Sequence, residues 1–289
     1  MRYGDRGSEV KAVQRALMQR GYELPQYGAD GDLGGETWDA LQRFAGDLQL
    51  GWAPAIPDQV IETLLAPPAD QSLVVDLTSR QSNPPEVQGK HRISGGKVVE
   101  RSPEIVQGII VHQTAVWFGV SERQRRLAGS VEDGLHHRAL NVGAHMTAFD
   151  GRGANVHCGH VCYTNPLSWY VYHANGANRV SVGIEIEGDY PGLVGNSAPL
   201  ASEALIAAAR QGLAFMVTEG RRLGMPMRYV WAHRQSSPTR RNDPGEELWR
   251  RVVLEYAVPV LGLETQPRRV WGQGRPIPRQ WDPDGEGDY

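Results

Sequence analysis

Apolar positions at the start of the chain fall on a helical period. Val10, Val13 and Leu17 recur at the i, i+3, i+7 spacing of a single buried face. Ser8 stands where an N-cap belongs and Gly21 where the helix should stop. A turn-rich stretch, Asp30-Gly31-Asp32-Leu33-Gly34, separates this helix from a second over Glu36 to about Leu48, which buries Trp38, Leu41 and Phe44. A third is predicted from Pro57 to Leu65, giving a three-helix domain over residues 1–67. Both periods then fail. Residues 68–103 follow Pro67 and contain Asn83-Pro84-Pro85 and Gly95-Gly96, so they read as a linker or wrapping segment, with a short strand at Leu73–Leu77.

From 104 to 263 strand-like and helix-like stretches alternate. Ile105–His112 and Val180–Ile186 are apolar runs of strand length, and Tyr229-Val230-Trp231 is a further strand. Ser202–Leu223 carries Leu205, Ala209, Leu213 and Val217 on one helical stripe, and Glu246–Tyr256 closes the domain as a helix. The alternation predicts an α/β fold. Residues 264–289 have neither period; they are rich in Pro, Gly, Arg and Asp and predict a segment that is flexible or strapped across the surface.

Composition removes several alternatives. The net charge of −3 gives no electrostatic case for nucleic acid as partner. No run of about 18 apolar residues exists to insert in a membrane. The opening Met1-Arg2-Tyr3-Gly4-Asp5-Arg6-Gly7 lacks the apolar core of a signal peptide, so synthesis in the cytoplasm is expected. With only Cys158 and Cys162, no disulfide framework supports the fold.

The candidate chemistry is histidine chemistry. His112 ends an apolar strand, where open α/β sheets place ligands, although an isolated histidine there is more often a satisfied core residue. His233 follows another strand, and ten positions later comes Asp243, with a loop between them able to fold back. Two imidazoles and a carboxylate would form a three-ligand zinc site with a fourth position open to water, the catalytic arrangement. The spacing by itself also arises by chance. A second cluster, His157-Cys158-Gly159-His160-Val161-Cys162, could converge on one strand face, but it lacks a second ligand pair and reads as strand packing.

The motifs make this specific. Gly4-Asp5-Arg6-Gly7, Val10, Val13-Gln14, Leu17 and Gly21-Tyr22, followed by Asp30-Gly31, Leu33-Gly34, Thr37, Ala40-Leu41 and Phe44, resemble the peptidoglycan-binding domain type 1. Ile109-Ile110-Val111-His112-Gln113-Thr114, Val182-Gly183-Ile184-Glu185-Ile186-Glu187-Gly188 and Ala232-His233-Arg234 through Pro238, Arg240-Arg241 and Asp243-Pro244-Gly245 resemble the N-acetylmuramoyl-L-alanine amidase type 2 family. That second resemblance implies a mixed central sheet flanked by helices, as in peptidoglycan-recognition proteins and phage endolysins. It also implies Zn2+ held by His112, His233 and Asp243, with Glu185 as general base; Glu187 is the weaker candidate for that role. Arg241, where relatives often carry Lys, would steady the oxyanion. His145, His173 and Asn175 would line the substrate cleft. His136 and His137 match no motif and are expected on an exposed helix or loop.

The implied partner is bacterial peptidoglycan, cut between N-acetylmuramic acid and L-alanine. The setting would be that of a phage-type lytic endolysin released through a separate holin-like protein. A cytoplasmic wall-recycling amidase and a non-catalytic peptidoglycan sensor are the alternatives.

Overall fold

The computed structural model describes residues 1–19, 22–47, 52, 55–65, 74–86, 89–118, 131–150, 159–190, 192 and 200–289. The expected cap Gly21, the end of the second helix at Leu48, Pro67-Pro68, Leu73 and the His157-Cys158 half of the cysteine cluster lie outside these residues.

Near the N-terminus three helices form, α1 (Ser8–Gln19), α2 (Gly35–Asp47) and α3 (Asp58–Leu65). Val10, Val13, Leu17, Leu41, Phe44 and Val60 close their shared core. Trp38, expected inside, is only partly buried; its ring makes edge contacts with Tyr3 at 5.6 Å and Trp52 at 5.2 Å. The Asp-Gly turn is held from α1. Gln14 donates to Asp30 Oδ1 at 2.7 Å, and its carbonyl accepts from the Gly31 N–H at 2.7 Å. Gly31 sits at φ +89°, where a side chain would be strained.

The larger unit is built on a seven-stranded sheet. Its strands are β1 (Val74–Asp76), β4 (Gly108–Gln113), β5 (Met146–Phe149), β6 (His160–Tyr163), β7 (Ser181–Ile186), β8 (Tyr229–Ala232) and β9 (Glu264–Thr265), in the order β1-β6-β5-β7-β4-β8-β9. All neighbours pair in parallel except β5 with β6, so the sheet is mixed. A separate hairpin, β2 (Ile93–Ser94) with β3 (Lys97–Val98), turns on Gly95 and Gly96, both at positive φ.

Helix α4 spans Val131–Leu140, and α5 (Glu203–Arg222) is the long amphipathic helix read from the sequence. Ser202 is its N-cap, the hydroxyl accepting from the Leu205 N–H at 3.1 Å. The closing helix α6 runs as an α-turn over Glu246–Leu248 and continues as a π-helix over Trp249–Ala257. No helix among the described residues is long and apolar enough to cross a membrane.

Alternation along the central strands assigns their two faces. Ile109, Val111, Val182, Ile184, Val230 and Ala232 face α5 and α6 in the main core. Ile110 and Trp231 face the other way, against Ala174, Ala177 and Trp271. The candidate site lies at one end of this second face. The segment before β4 adds β1 to the sheet edge through β6. Residues 264–265, expected to have no period, form the edge strand β9, and Ile277 and Trp281 beyond it lie in the main core.

Candidate functional site

Strand register delivers the first two groups. His112 on β4 is paired with Glu185 on β7, and the His112 Nδ1 to Glu185 Oε1 separation is 4.0 Å. His233 opens a 3-10 turn, His233–Ser236, directly after β8. Asp243 returns to it through a loop tied at two points. The Arg234 N–H donates to the Asp243 carbonyl at 3.0 Å, and the Gln113 N–H donates to Asp243 Oδ1 at 3.0 Å. Asp243 Oδ2 then lies 2.9 Å from His233 Nδ1. His112, His233 and Asp243 each offer a ligand atom, all within 4.8 Å of one another.

The proton arrangement around His112 is determined by its neighbours. The Ser181 hydroxyl donates to the Ala177 carbonyl at 2.8 Å, so it is not free to donate to His173. The Ser181 carbonyl accepts from His173 Nε2 at 3.3 Å, which places the His173 proton there. Burial, followed by the Arg101 charge, lowers the His173 pKa to about 3, so its Nδ1 carries a lone pair. That lone pair accepts from His112 Nε2 at 3.1 Å. His112 Nδ1 is therefore a bare lone pair, buried and without a hydrogen-bond partner among the described residues. An orphaned nitrogen beside an imidazole and a carboxylate suits a cation. Ligand atoms around tetrahedral zinc stand about 3.3 Å apart; the His233–Asp243 pair is nearer, at 2.9 Å, and the whole set lies within 4.8 Å, so the fit rests on the chemistry of the donors. The donor set fits Zn2+.

Electrostatics follow from burial. His112 is held well below the usual histidine range, first by desolvation and then by the His233 charge. Glu185 is pushed well above the usual carboxylate range, first by burial and then by Asp243, against the opposing charges of Arg240 and Lys90. Its Oε2 has no hydrogen-bond partner among the described residues. A cavity of about 380 Å3 opens in front of it, lined among others by Lys90, Thr114, Phe118, Arg138 and Gly143.

Other expected site residues are placed differently. His145 does not reach the cleft: it is fully buried, its Nδ1 accepts from the Gly183 N–H at 3.1 Å, and its Nε2 meets the Trp169 carbonyl at 3.2 Å. His173 stands behind His112 rather than before substrate. Asn175 is exposed, but its amide is used to bridge to the Ser236 carbonyl at 2.8 Å. The Arg241 guanidinium lies 5.3 Å from the Tyr289 ring centroid, whereas the charge that reaches His112 and Glu185 is that of Arg240. Glu187 is fully buried and accepts from the N–H groups of Phe118 and Asp150. On α4, His137 is exposed as expected, while His136 is buried.

Sequence reasoning passed over Gln113, Lys90, Arg234 and Arg240. The adjacent motif letters were a usable signal for Gln113, Arg234 and Arg240. Lys90 had none, since it comes from the wrapping segment and reaches the cleft only through tertiary packing.

The model of the N-acetylmuramoyl-L-alanine amidase family matches residues 101–246, just over half of the chain. This chain belongs to that family. Within the matched stretch fall His112, Glu185, His233 and Asp243. The family member is also 47% identical over 49 residues to the N-acetylmuramoyl-L-alanine amidase CwlL of Bacillus licheniformis. That match covers 16% of the chain and spans only 14% of the length of this curated relative. Among solved structures it is similar to the endolysin amidase LysCS from Clostridium intestinale, at 13% identity over 66% of this chain and 96% of that one, TM-score 0.38. The Drosophila peptidoglycan-recognition protein PGRP-LB compares at 16% identity, 66% and 95% coverage, TM-score 0.39.

Proposed function

We propose that this amidase-family chain is a zinc-dependent peptidoglycan hydrolase cutting the amide between N-acetylmuramic acid and the L-alanine of the stem peptide. The observation that carries the reading is the convergence of His112, His233 and Asp243, with ligand atoms within 4.8 Å of one another and a His112 Nδ1 left without a hydrogen-bond partner among the described residues. These three would hold Zn2+, which when bound polarises a carbonyl and acidifies water. Glu185, on the neighbouring strand and open to the cavity, takes the water proton and passes it to the leaving amine. With a cation held by the three ligands, the Glu185 carboxyl would be favoured in the ionised form that a base needs. Arg240 supplies the cation for the developing oxyanion, a role its charge at Glu185 supports better than the stacked Arg241.

Residues 1–67 hold the polymer, an arrangement that suits a lytic, endolysin-type enzyme working on intact wall. The test uses purified sacculi, with zinc content and new amino groups measured for the parent and for His112→Ala. The parent should carry one zinc and expose alanine amino termini, and the variant should do neither. Binding to sacculi without release of amino groups would reduce the chain to a sensor. New reducing ends in their place would mean a glycosidase.

A further inference from the structure

The loop that carries His233 and Asp243 is fastened from behind by the C-terminal strap, a segment outside the family-matched stretch 101–246. The Trp271 N–H donates to the Gln235 carbonyl at 2.8 Å, and the Arg275 N–H donates to the Arg234 carbonyl at 2.8 Å. Gln235 Nε2 in turn donates to the carbonyls of Gln266 at 2.8 Å and Arg269 at 2.7 Å. At Gly274 the strap passes so close that a Cβ would stand 2.0 Å from the Gln235 carbonyl oxygen, so glycine is required there.

Arg234 is the knot of this arrangement. It follows His233 directly and is buried to 4% exposure. Its Nε donates to the Pro276 carbonyl of the strap at 2.9 Å, and its Nη1 donates to the Arg241 carbonyl on the returning limb of the loop. Its own N–H donates to the Asp243 carbonyl at 3.0 Å. The guanidinium lies 4.9 Å from the Trp281 ring centroid and 5.5 Å from that of Tyr289. One side chain thus joins the residue after the first ligand, the limb leading to the second, and the strap. A planar fork is needed for that; a lysine ammonium would reach one carbonyl at a time and stack less well.

We propose that Arg234, clamped by the strap, is the positioning residue that sets the separation of His233 and Asp243, so metal affinity is controlled from outside the family-matched stretch. This rests on the zinc reading above. Groups that orient metal ligands typically change affinity by about 10–100-fold when removed.

The experiment measures zinc affinity of the full chain by competition with a chromophoric chelator. It adds the visible spectrum of the cobalt(II) form, which reports ligand geometry, and the thermal midpoint of the metal-free protein. Arg234→Lys should weaken zinc about 10-fold and shift the cobalt bands, and Arg234→Met should weaken it up to about 100-fold. Tyr289→Leu, at the edge of the stack, should give a smaller loss of roughly threefold. Should the Met variant fail to fold, the Lys and Tyr variants decide. Affinities within twofold of the parent and an unchanged cobalt spectrum in those two would overturn the positioning role, whatever happens to the thermal midpoint. A parent that binds no zinc removable by His112→Ala would bring down the zinc reading and this role with it. A parent that binds zinc beside indifferent variants removes the positioning role alone.

Discussion

At the scale of single residues, the proposed roles divide into groups that handle protons and groups that hold others in place. Glu185→Gln keeps the shape but cannot accept a proton, so kcat should fall by about 10²–10⁴ with zinc still bound, measured by release of amino groups. Arg240→Ala should lower kcat/KM by roughly tenfold or more, and Arg241→Ala should cost less, because Arg241 is committed to the Tyr289 ring. Equal losses would return the oxyanion role to Arg241. The buried histidines also make stability depend on pH. His173 and His145 have folded-state pKa values lowered by burial, His173 to about 3 and His145 well below its usual range. Below pH 6.5 the unfolded chain gains protons that the folded chain refuses. The stabilisation is therefore complete above about 6.5 and is lost as pH falls. At pH 5 the loss from His173 is roughly 2 kcal/mol, at about 1.4 kcal/mol per pH unit, and His145 adds to it in the same direction. Denaturant midpoints of the metal-free protein at pH 7 and pH 5 should show it, and His173→Gln should flatten the dependence.

At the scale of elements, β7 shows how a strand motif encodes the site behind it. Gly183 sits between Val182 and Ile184, and a Cβ there would stand 2.5 Å from His173 Nδ1, the atom that accepts from His112. Its backbone N–H and carbonyl also bond to His145. Gly183→Ala should therefore push His173 off His112 and weaken zinc binding by about tenfold while Glu185 stays on its strand. Unchanged affinity in a chelator titration would show that the His112–His173 contact is dispensable. The glycine was plain in the sequence, but its reason was not, because His173 is brought over it only by the fold. The same limit explains what else was legible. β4, β7, β8 and α5 announce themselves through apolar runs, a helical stripe and the Ser202 cap. β5 gives no signal of its own, and β6 shows only in the strand reading of residues 157–162; at four residues each they lean on the sheet around them. The residues proposed to hold the metal stand out because His112 lies at the end of β4, His233 directly follows β8, and Asp243 closes the motif that His233 opens. His145 was misplaced because a histidine buried for structural hydrogen bonds looks, in one dimension, like one that lines a cleft.

At the scale of the whole molecule, the helices α1–α3 close a core of their own, with Val10, Leu17, Leu41 and Val60 fully enclosed by one another and their neighbours. A unit with its own core can serve the amidase unit without sharing in its chemistry, and the two tasks should then separate in an experiment. Anchoring on an insoluble polymer raises the effective concentration of scissile bonds at the cleft, and it does nothing for a soluble fragment that diffuses freely. Removing residues 1–67 should leave turnover of a soluble muropeptide within about twofold. Lysis of sacculi at low enzyme concentration should fall by at least about tenfold, and the deficit should shrink as enzyme is added. The isolated three-helix segment should pellet with sacculi. If soluble turnover fell as far as lysis, the first 67 residues would have to be part of the catalytic fold, and the tethering role would be lost. If lysis were unaffected, the binding role proposed from the Asp30-Gly31 turn and its neighbours would have no functional support.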